Sequence, residues 1–399
     1  MAELSTGPQA RRSILGLGAA AFLAFALGGC QLVPKPRSEP VPEQAPPQTQ
    51  PEEEERGPQL PLEETRNRVA VLVPLSGANA GVGSSIANAA NLALLDAGGE
   101  RIRITVYDTA KSGAAAAANQ ALAEGNGLFL GPLLAEDVRA VAPIARRADV
   151  PVISFSNDVS VAGDGVYLMG FTPSQSVARV VAFAAERGAG RFGALTPVNV
   201  YGRRASQAMI DAVDHAGARL EGVQTFDSAP GALRTAIVRL NGVGALDAVL
   251  IADSARVAAT AAPILKTGAQ SGVRILGTEL WATETSLGRT PGLRGAWFAS
   301  VSDTMFGQLR TRYRARYGTT PYRLASLGYD SVLLAVRIAK GWRLGRPFPE
   351  RELRDPGGFA GIDGAFRFGG NGVAERSLEV REVTAAGTIV VSPAPRSFD

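Results

Sequence analysis

From Arg68 onward, apolar residues fall into short unbroken runs that alternate with stretches repeating every three or four positions. Val69-Ala-Val-Leu-Val73 has no polar interruption and is rich in β-branched residues, the pattern of a parallel strand buried on both faces. A Gly- and Ser-rich turn follows, then a helical stretch from Ser84 to Asp96. Strand Ile102–Tyr107, helix Gly113–Glu124, strand Leu128–Leu130, helix Ala135–Arg147 and strand Val150–Ser154 complete one α/β series. After Val166–Gly170 the alternation restarts. It runs through helices 174–187, 203–215, 232–240 and 255–266 and strands 192–195, 218–224, 248–252 and 273–276. Two such series predict two lobes, each a doubly wound, mostly parallel sheet. Ala296–Ser300 precedes helices at Met305–Tyr317 and Pro321–Lys340, which read as a return to the first lobe. Antiparallel strands at 364–368, 378–383 and 388–391 close the chain, the first ending in the tight turn Gly369-Gly-Asn-Gly372.

The first 66 residues follow other rules. Arg11-Arg12 stands ahead of an apolar run, Ile14 to Leu27, that ends in Leu27-Gly28-Gly29-Cys30. That run is about 14 residues, short of the roughly 20 needed to cross a bilayer, and the basic, apolar, small order is that of an export signal. Leu-Gly-Gly-Cys resembles the lipobox of bacterial lipoproteins, which implies cleavage after Gly29 and a lipid on Cys30. Arg11-Arg12-Ser-Ile-Leu15 also resembles a twin-arginine export motif; an ordinary basic leader accounts for it equally well. Gln31 to Glu64 is rich in Pro, Gln and Glu and poor in large apolar residues, so it is expected to be a disordered tether. Fully extended, it would reach roughly 100 Å.

Composition narrows the chemistry. Cys30 is the only cysteine and His215 the only histidine, which removes intrachain disulfides and the usual zinc clusters. Gly81-Val-Gly83-Ser-Ser-Ile86 lacks the third glycine of a dinucleotide loop, and no P-loop or Gly-x-Ser-x-Gly elbow occurs. Asp108, Asp158 and Asp164 lack the dense spacing of a calcium loop and read as turn and cap residues. His215 reads as a helix-end residue. Trp281 and Trp297 read as packing near a hinge, with a cleft lining as the alternative. No cofactor, no metal and no enzymatic activity is expected. Residues 31–64 hold three basic and eight acidic side chains, a formal −5, while Thr65 onward holds 36 basic and 28 acidic, a formal +8. A basic body behind an acidic tether favours anionic neighbours such as a membrane surface or cell-wall polymer. Basic residues are not interleaved with aromatics, which argues against nucleic acid.

Several runs, in order, resemble the leucine-binding-protein-like group of class I periplasmic binding proteins. They are Val71-Leu-Val-Pro-Leu-Ser-Gly77, Tyr107-Asp-Thr109, Gly131-Pro132 with Val141–Ala145 and Val150–Ser154, Tyr201-Gly202, and Tyr317 to Ser331. The resemblance spans roughly Arg68 to Val391. It implies two lobes joined by three crossings, with a small polar, amino-acid-like solute held between them. Carried over by position, the candidate ligand-binding residues are Ser76, Leu133, Leu134, Ser154, Ser156, Asn157, Tyr201, Ser254 and Glu279. In relatives that bind amino acids, serines after the Gly-Pro turn hold the carboxylate. Here Leu133-Leu134 cannot donate to one and Glu136 would repel it.

The expected organisation is a signal over 1–29, a lipidated Cys30 with its tether over 30–66, a first lobe of 67–169 plus 302–355, and a second of 170–301 plus 356–399. The expected function is binding of a small-molecule ligand for transport or sensing, in the periplasm and lipid-anchored at the outer membrane, alongside an ABC permease. The fold also resembles a domain of the outer-membrane lipoproteins that activate penicillin-binding proteins, so activation of a wall synthase, with a penicillin-binding protein as partner, is the alternative.

Overall fold

The computed structural model describes residues 65–395 and Phe398. The expected signal, the lipidation at Cys30 and the tether up to residue 64 lie outside the described residues.

The first lobe is built on five parallel strands: β1 (Asn67–Val73), β2 (Ile102–Asp108), β3 (Phe129–Leu130), β4 (Val152–Ser154) and β5 (Val166–Leu168). Their order is β2-β1-β3-β4-β5. Helices α1 (Ala80–Asp96), α2 (Ala114–Ala123) and α3 (Ala135–Arg147) connect them. Because side chains alternate along a strand, β1 serves two cores. Val69, Val71 and Val73 pack with Ile86 of α1, while Ala70 and Leu72 pack with Ala118 of α2 and Val141 of α3. No residue of β1 after Arg68 is left accessible, which is why the run reads as uniformly apolar.

The second lobe repeats the scheme with α4 (Pro173–Glu186), β6 (Arg191–Pro197), α5 (Val200–His215), β7 (Arg219–Phe226), α6 (Ala232–Asn241), β8 (Ala248–Ile251), α7 (Ala255–Leu265), β9 (Arg274–Gly277) and β10 (Trp297–Ser300). Strands β6 to β10 run parallel. Ala194, Leu250 and Leu276 face α4 and α5, and Leu195, Val249 and Ile275 face α6 and α7.

The chain then returns to the first lobe through α8 (Thr304–Tyr317) and α9 (Ala325–Ala339). α9 lies against α1 so closely that a Cβ on Gly328 would sit 2.4 Å from the Ile86 carbonyl oxygen. The helix expected from Pro321 starts at Ala325 instead, because Pro321 belongs to a turn whose Tyr322 amide donates to Ser85 Oγ at 2.9 Å. A three-stranded antiparallel sheet follows, β11 (Phe359–Gly361), β12 (Gly364–Phe368) and β13 (Ala374–Arg376). Phe359, Phe366, Phe368 and Ala374 are buried in the same core as Val71 and Ile86. Packing therefore keeps residues through 376 in the first lobe, and the lobe boundary expected at 356 moves to 377. Only β14 (Glu379–Thr384) and β15 (Gly387–Ser392) join the second sheet, antiparallel beyond β10. The lobes are connected three times, at residues 169–172, 301–303 and 377–378.

Candidate functional site

Open α/β sheets bind ligands beyond the carboxyl ends of their strands. Each of the nine candidate residues lies at or just past such an end: Ser76 after β1, Leu133 and Leu134 after β3, Ser154 to Asn157 at β4, Tyr201 after β6, Ser254 after β8 and Glu279 after β9. Proximity to the cleft is not the same as availability. Ser154 Oγ donates to the Pro132 carbonyl at 3.0 Å and accepts from the Ser156 amide at 3.0 Å. Ser156 Oγ accepts from the Asp158 amide at 3.1 Å. Both serines are buried and committed to their own turn. Ser254 caps α7, and Ser76 donates to Asp108 Oδ2 at 2.8 Å. Leu133 and Leu134 are half-buried, the first packed against the first-lobe core.

Tyr201 and Glu279 are brought together. Asn199 caps α5 by accepting from the Gly202 amide at 2.8 Å, which sets Tyr201 in the first turn of the helix. Its hydroxyl donates to Glu279 Oε1 at 3.0 Å and lies 2.8 Å from Thr278 Oγ1. Glu279 follows β9 in a 3-10 turn, Glu279–Trp281, anchored by Trp281. The indole is inaccessible to solvent, tilted against Phe298 at 5.9 Å, and its Nε1 donates to the Asp253 carbonyl at 2.9 Å. Both Trp281 and Trp297 are packed rather than cleft-lining, the latter edge-on to Phe183. Ser176 of α4 donates to Glu279 Oε2. Burial pushes the Glu279 carboxyl above the ordinary range, and its hydrogen bonds to Ser176 and Tyr201 only partly offset this. Burial, then the charge of Glu279, likewise raises Tyr201.

Glu279 lines a cavity of about 50 Å³ shared with Thr172, Gln175, Ser176, Ser300 and Arg323, residues that sequence reasoning did not select. Ser300 Oγ is buried there with no hydrogen-bond partner among the described residues. A second cavity, about 530 Å³, opens at the ends of β6, β7 and β8, lined by Val198, Asn199, Phe226, Asp227, Asp253 and Val257 among others. Asn199, which caps α5, lines this second cavity, while Tyr201 in the first turn of α5 bonds Glu279 of the smaller one.

Across the cleft, Asp158 receives Arg139 of its own lobe at 2.9 Å and Arg204 of α5. Arg204 also donates to the Asn157 carbonyl at 3.2 Å. Burial opposes the charge on Asp158, but Ser160, Arg204 and Arg139 together hold its carboxyl below the usual range.

A chain of charges, buried at Arg376, Asp330, Asp363 and Glu379 and more open at Asp303, runs through the crossings. Arg376 donates to the Met169 carbonyl at 2.7 Å and stacks over Phe171 and Phe366 at 4.9 and 5.3 Å. Asp330 of α9 accepts from the Ile362 amide at 2.7 Å. Arg323 lies 2.7 Å from Asp363 and 3.7 Å from Asp303, and Arg381 of β14 lies 2.6 Å from Asp303 and from Glu379. Burial first, and the neighbouring Asp363 second, push Asp330 up to about 7. A raised folded-state value favours the fold fully below the unfolded carboxylate value, near pH 4, and that contribution disappears as pH rises through about 7. Asp330→Asn is therefore expected to gain stability relative to the parent between pH 4.5 and 8, measured by urea titration at both. A constant difference across that window would show that Asp330 does not titrate there.

Comparison with known proteins follows the same outline. The family described as periplasmic binding protein matches residues 67–388. An uncharacterized protein of Rickettsia prowazekii (strain Madrid E) is 25% identical over 176 residues, 44% of this chain and 47% of that protein, so the match spans about half of that relative. The structure of a candidate branched-chain amino acid ABC transporter from Rhodospirillum rubrum superposes with a TM-score of 0.73 at 18% identity, covering 82% of this chain and all of that one. Full-length LpoA from Haemophilus influenzae superposes at 0.65 and 18% identity, covering 82% of this chain and 59% of LpoA. At these identities the likeness of the two structures is one of fold.

Proposed function

The chain belongs to the periplasmic binding protein family, and we propose that it is a membrane-tethered solute-binding lipoprotein that holds the ammonium end of a small amino-acid-like ligand on Glu279. The observation that carries this reading is the Tyr201–Glu279–Ser176 arrangement: a buried carboxylate with hydroxyl partners and no ion-paired cation among the described residues. A buried acid in that state is costly, and an incoming ammonium would lower the cost by pairing with it. The ligand would enter between the lobes and the Arg204–Asp158 pair would close over it. Attachment through Cys30, at the outer membrane, and delivery to an ABC permease complete the proposal.

Binding is expected to appear as stabilisation. In protein freed of resident ligand, a one-site solute at 100 times its Kd adds about 2.7 kcal/mol. A thermal-shift panel of amino acids, amines and wall fragments reads this directly, and Glu279→Gln should remove the shift while leaving the free protein folded and no less stable, since the cost of the buried acid is gone. No shift with any member of the panel would sink the reading.

A second reading, activation of a wall synthase, draws on two features. Leu133-Leu134 offers no carboxylate donor, and Arg204 of the second lobe pairs with Asp158 and donates to the Asn157 carbonyl of the first. Unchanged synthase activity in the presence of the protein would dispose of it.

A further inference from the structure

We infer that the base of the first lobe seats on an anionic phospholipid surface, through a collar of Arg101, Lys340, Arg343 and Arg346 tipped by Leu344. This surface lies at the amino ends of the first sheet, opposite the cleft, and is independent of what Glu279 binds.

Hydrogen bonds gather the collar around the start of β1. The Asn67 amide donates to the Arg101 carbonyl at 2.9 Å, and the Asn67 side chain donates to the Trp342 carbonyl at 3.0 Å. Arg101 Nη1 donates to the Lys340 carbonyl at 2.9 Å, which ties the start of β2 to the end of α9. The buried Trp342 indole donates to the Arg346 carbonyl at 2.8 Å, and the Arg346 amide to the Arg343 carbonyl at 3.1 Å. These bonds close a turn with Gly345 at a φ of 69° and hold Leu344 at its tip, 49% exposed. Arginines in contact with headgroups would bring this leucine to the acyl boundary, where apolar area is favoured. All four cations are exposed and pair with no carboxylate among the described residues. Arg312 and Arg337 of the flanking helices, by contrast, pair with Asp96 and Asp355. Of the acids at this end, Glu124 accepts the Tyr107 hydroxyl at 2.6 Å and Glu100 is exposed beside Arg101. Four cations beside that exposed acid leave the surface positive.

Position selects a membrane among anionic partners. The described body begins at Thr65, two residues before Asn67, so the 64 residues ahead of it join the body at the collar. A bilayer anchor in that segment acts on the body at this point, and an anionic leaflet attracts basic residues within a Debye length of it. The candidate cleft residues sit at the opposite, carboxyl ends of the strands, so a body seated this way turns its cleft away from the bilayer.

The test uses the full chain carrying Cys30→Ala, so that no lipid contributes and a single cysteine can be placed elsewhere. With Leu344→Cys, a polarity-sensitive dye on the turn should shift to the blue on mixed phosphatidylethanolamine and phosphatidylglycerol vesicles. Phosphatidylethanolamine alone should leave it unmoved, and rising salt should reverse the shift. The same dye at Val238→Cys, an exposed position of the second lobe, should not respond. Adding Lys340→Gln/Arg343→Gln/Arg346→Gln should raise the lipid needed for the same shift on the order of a hundredfold, from about fivefold per cation. Those three side chains make no hydrogen bond among the described residues, so folding is preserved, as circular dichroism would verify. A dye at 344 that stays silent while the protein floats with the vesicles would overturn the collar and leave the apolar run ahead of Cys30 as the contact. An equal response at 238, or an unchanged response in the triple variant, would overturn it too. Retention on purified cell-wall polymer in place of vesicles, lost in the triple variant, would replace the membrane with the wall.

Discussion

Arg376→Ala is expected to cost the folded protein about 3–5 kcal/mol, the usual consequence of deleting one partner from a buried ionic cluster. The guanidinium is buried between Phe171 and Phe366, where it donates to the Met169 carbonyl and faces Asp330 and Asp363. Its removal leaves two acids buried side by side with Arg323 alone to balance them, and one carbonyl without its donor. Urea denaturation should show a lower midpoint at an unchanged slope. Adding Asp330→Asn to Arg376→Ala should restore part of the loss, because it removes one of the charges the arginine offset; the shortfall from additivity measures the coupling. A loss under about 1 kcal/mol would mean the acids are already neutral and the arginine serves only as a stacking plate.

Trp281→Ala should be comparably severe for stability, about 3–5 kcal/mol, and should also cripple the site. The ring fills the space above Gly277, where a Cβ would stand 2.4 Å from it, and it packs on Phe298. Its loss opens a cavity in the second-lobe core and frees the Asp253 carbonyl. Glu279 begins the turn that Trp281 ends, so the carboxylate loses its fixed approach to Tyr201. Denaturation of the variant gives the stability term, and ligand titration well below its melting temperature gives the binding term. Binding at parental affinity would show that the 3-10 turn holds Glu279 without the indole.

Much of the fold was legible in the sequence because its strands are buried on both faces and its helices on one. Helix α3 was read to both its ends, from acids in the first turn to arginines in the last. Strands β11 and β13 were missed, since three residues containing glycine, glutamate or arginine carry no period. The same shortness misplaced the lobe boundary: Arg376 reads as a surface charge, and only the fold reveals that it is buried. In the candidate site, resemblance alone pointed to Tyr201 and Glu279, which the fold brings together. Ser154, Ser156 and Ser254 had the right chemistry at the right strand ends, yet nearby amides and carbonyls claim their hydroxyls first. Ser176, Ser300 and Arg323 converge on the cavity from three separate stretches, a juxtaposition that no local pattern encodes.

The first lobe has a consequence for synthesis. Its core needs residues 69–169 and 306–374, and the whole second lobe is made between them. On the ribosome, α2 and α3 can cover one face of the first sheet, but the face carrying Val69, Val71 and Val73 must wait for α9 and β12. The second sheet in turn lacks its edge until β14 emerges. Neither lobe can finish early, so the body must fold nearly whole, late and through contacts distant in sequence, which makes it a slow folder and a natural client for chaperones.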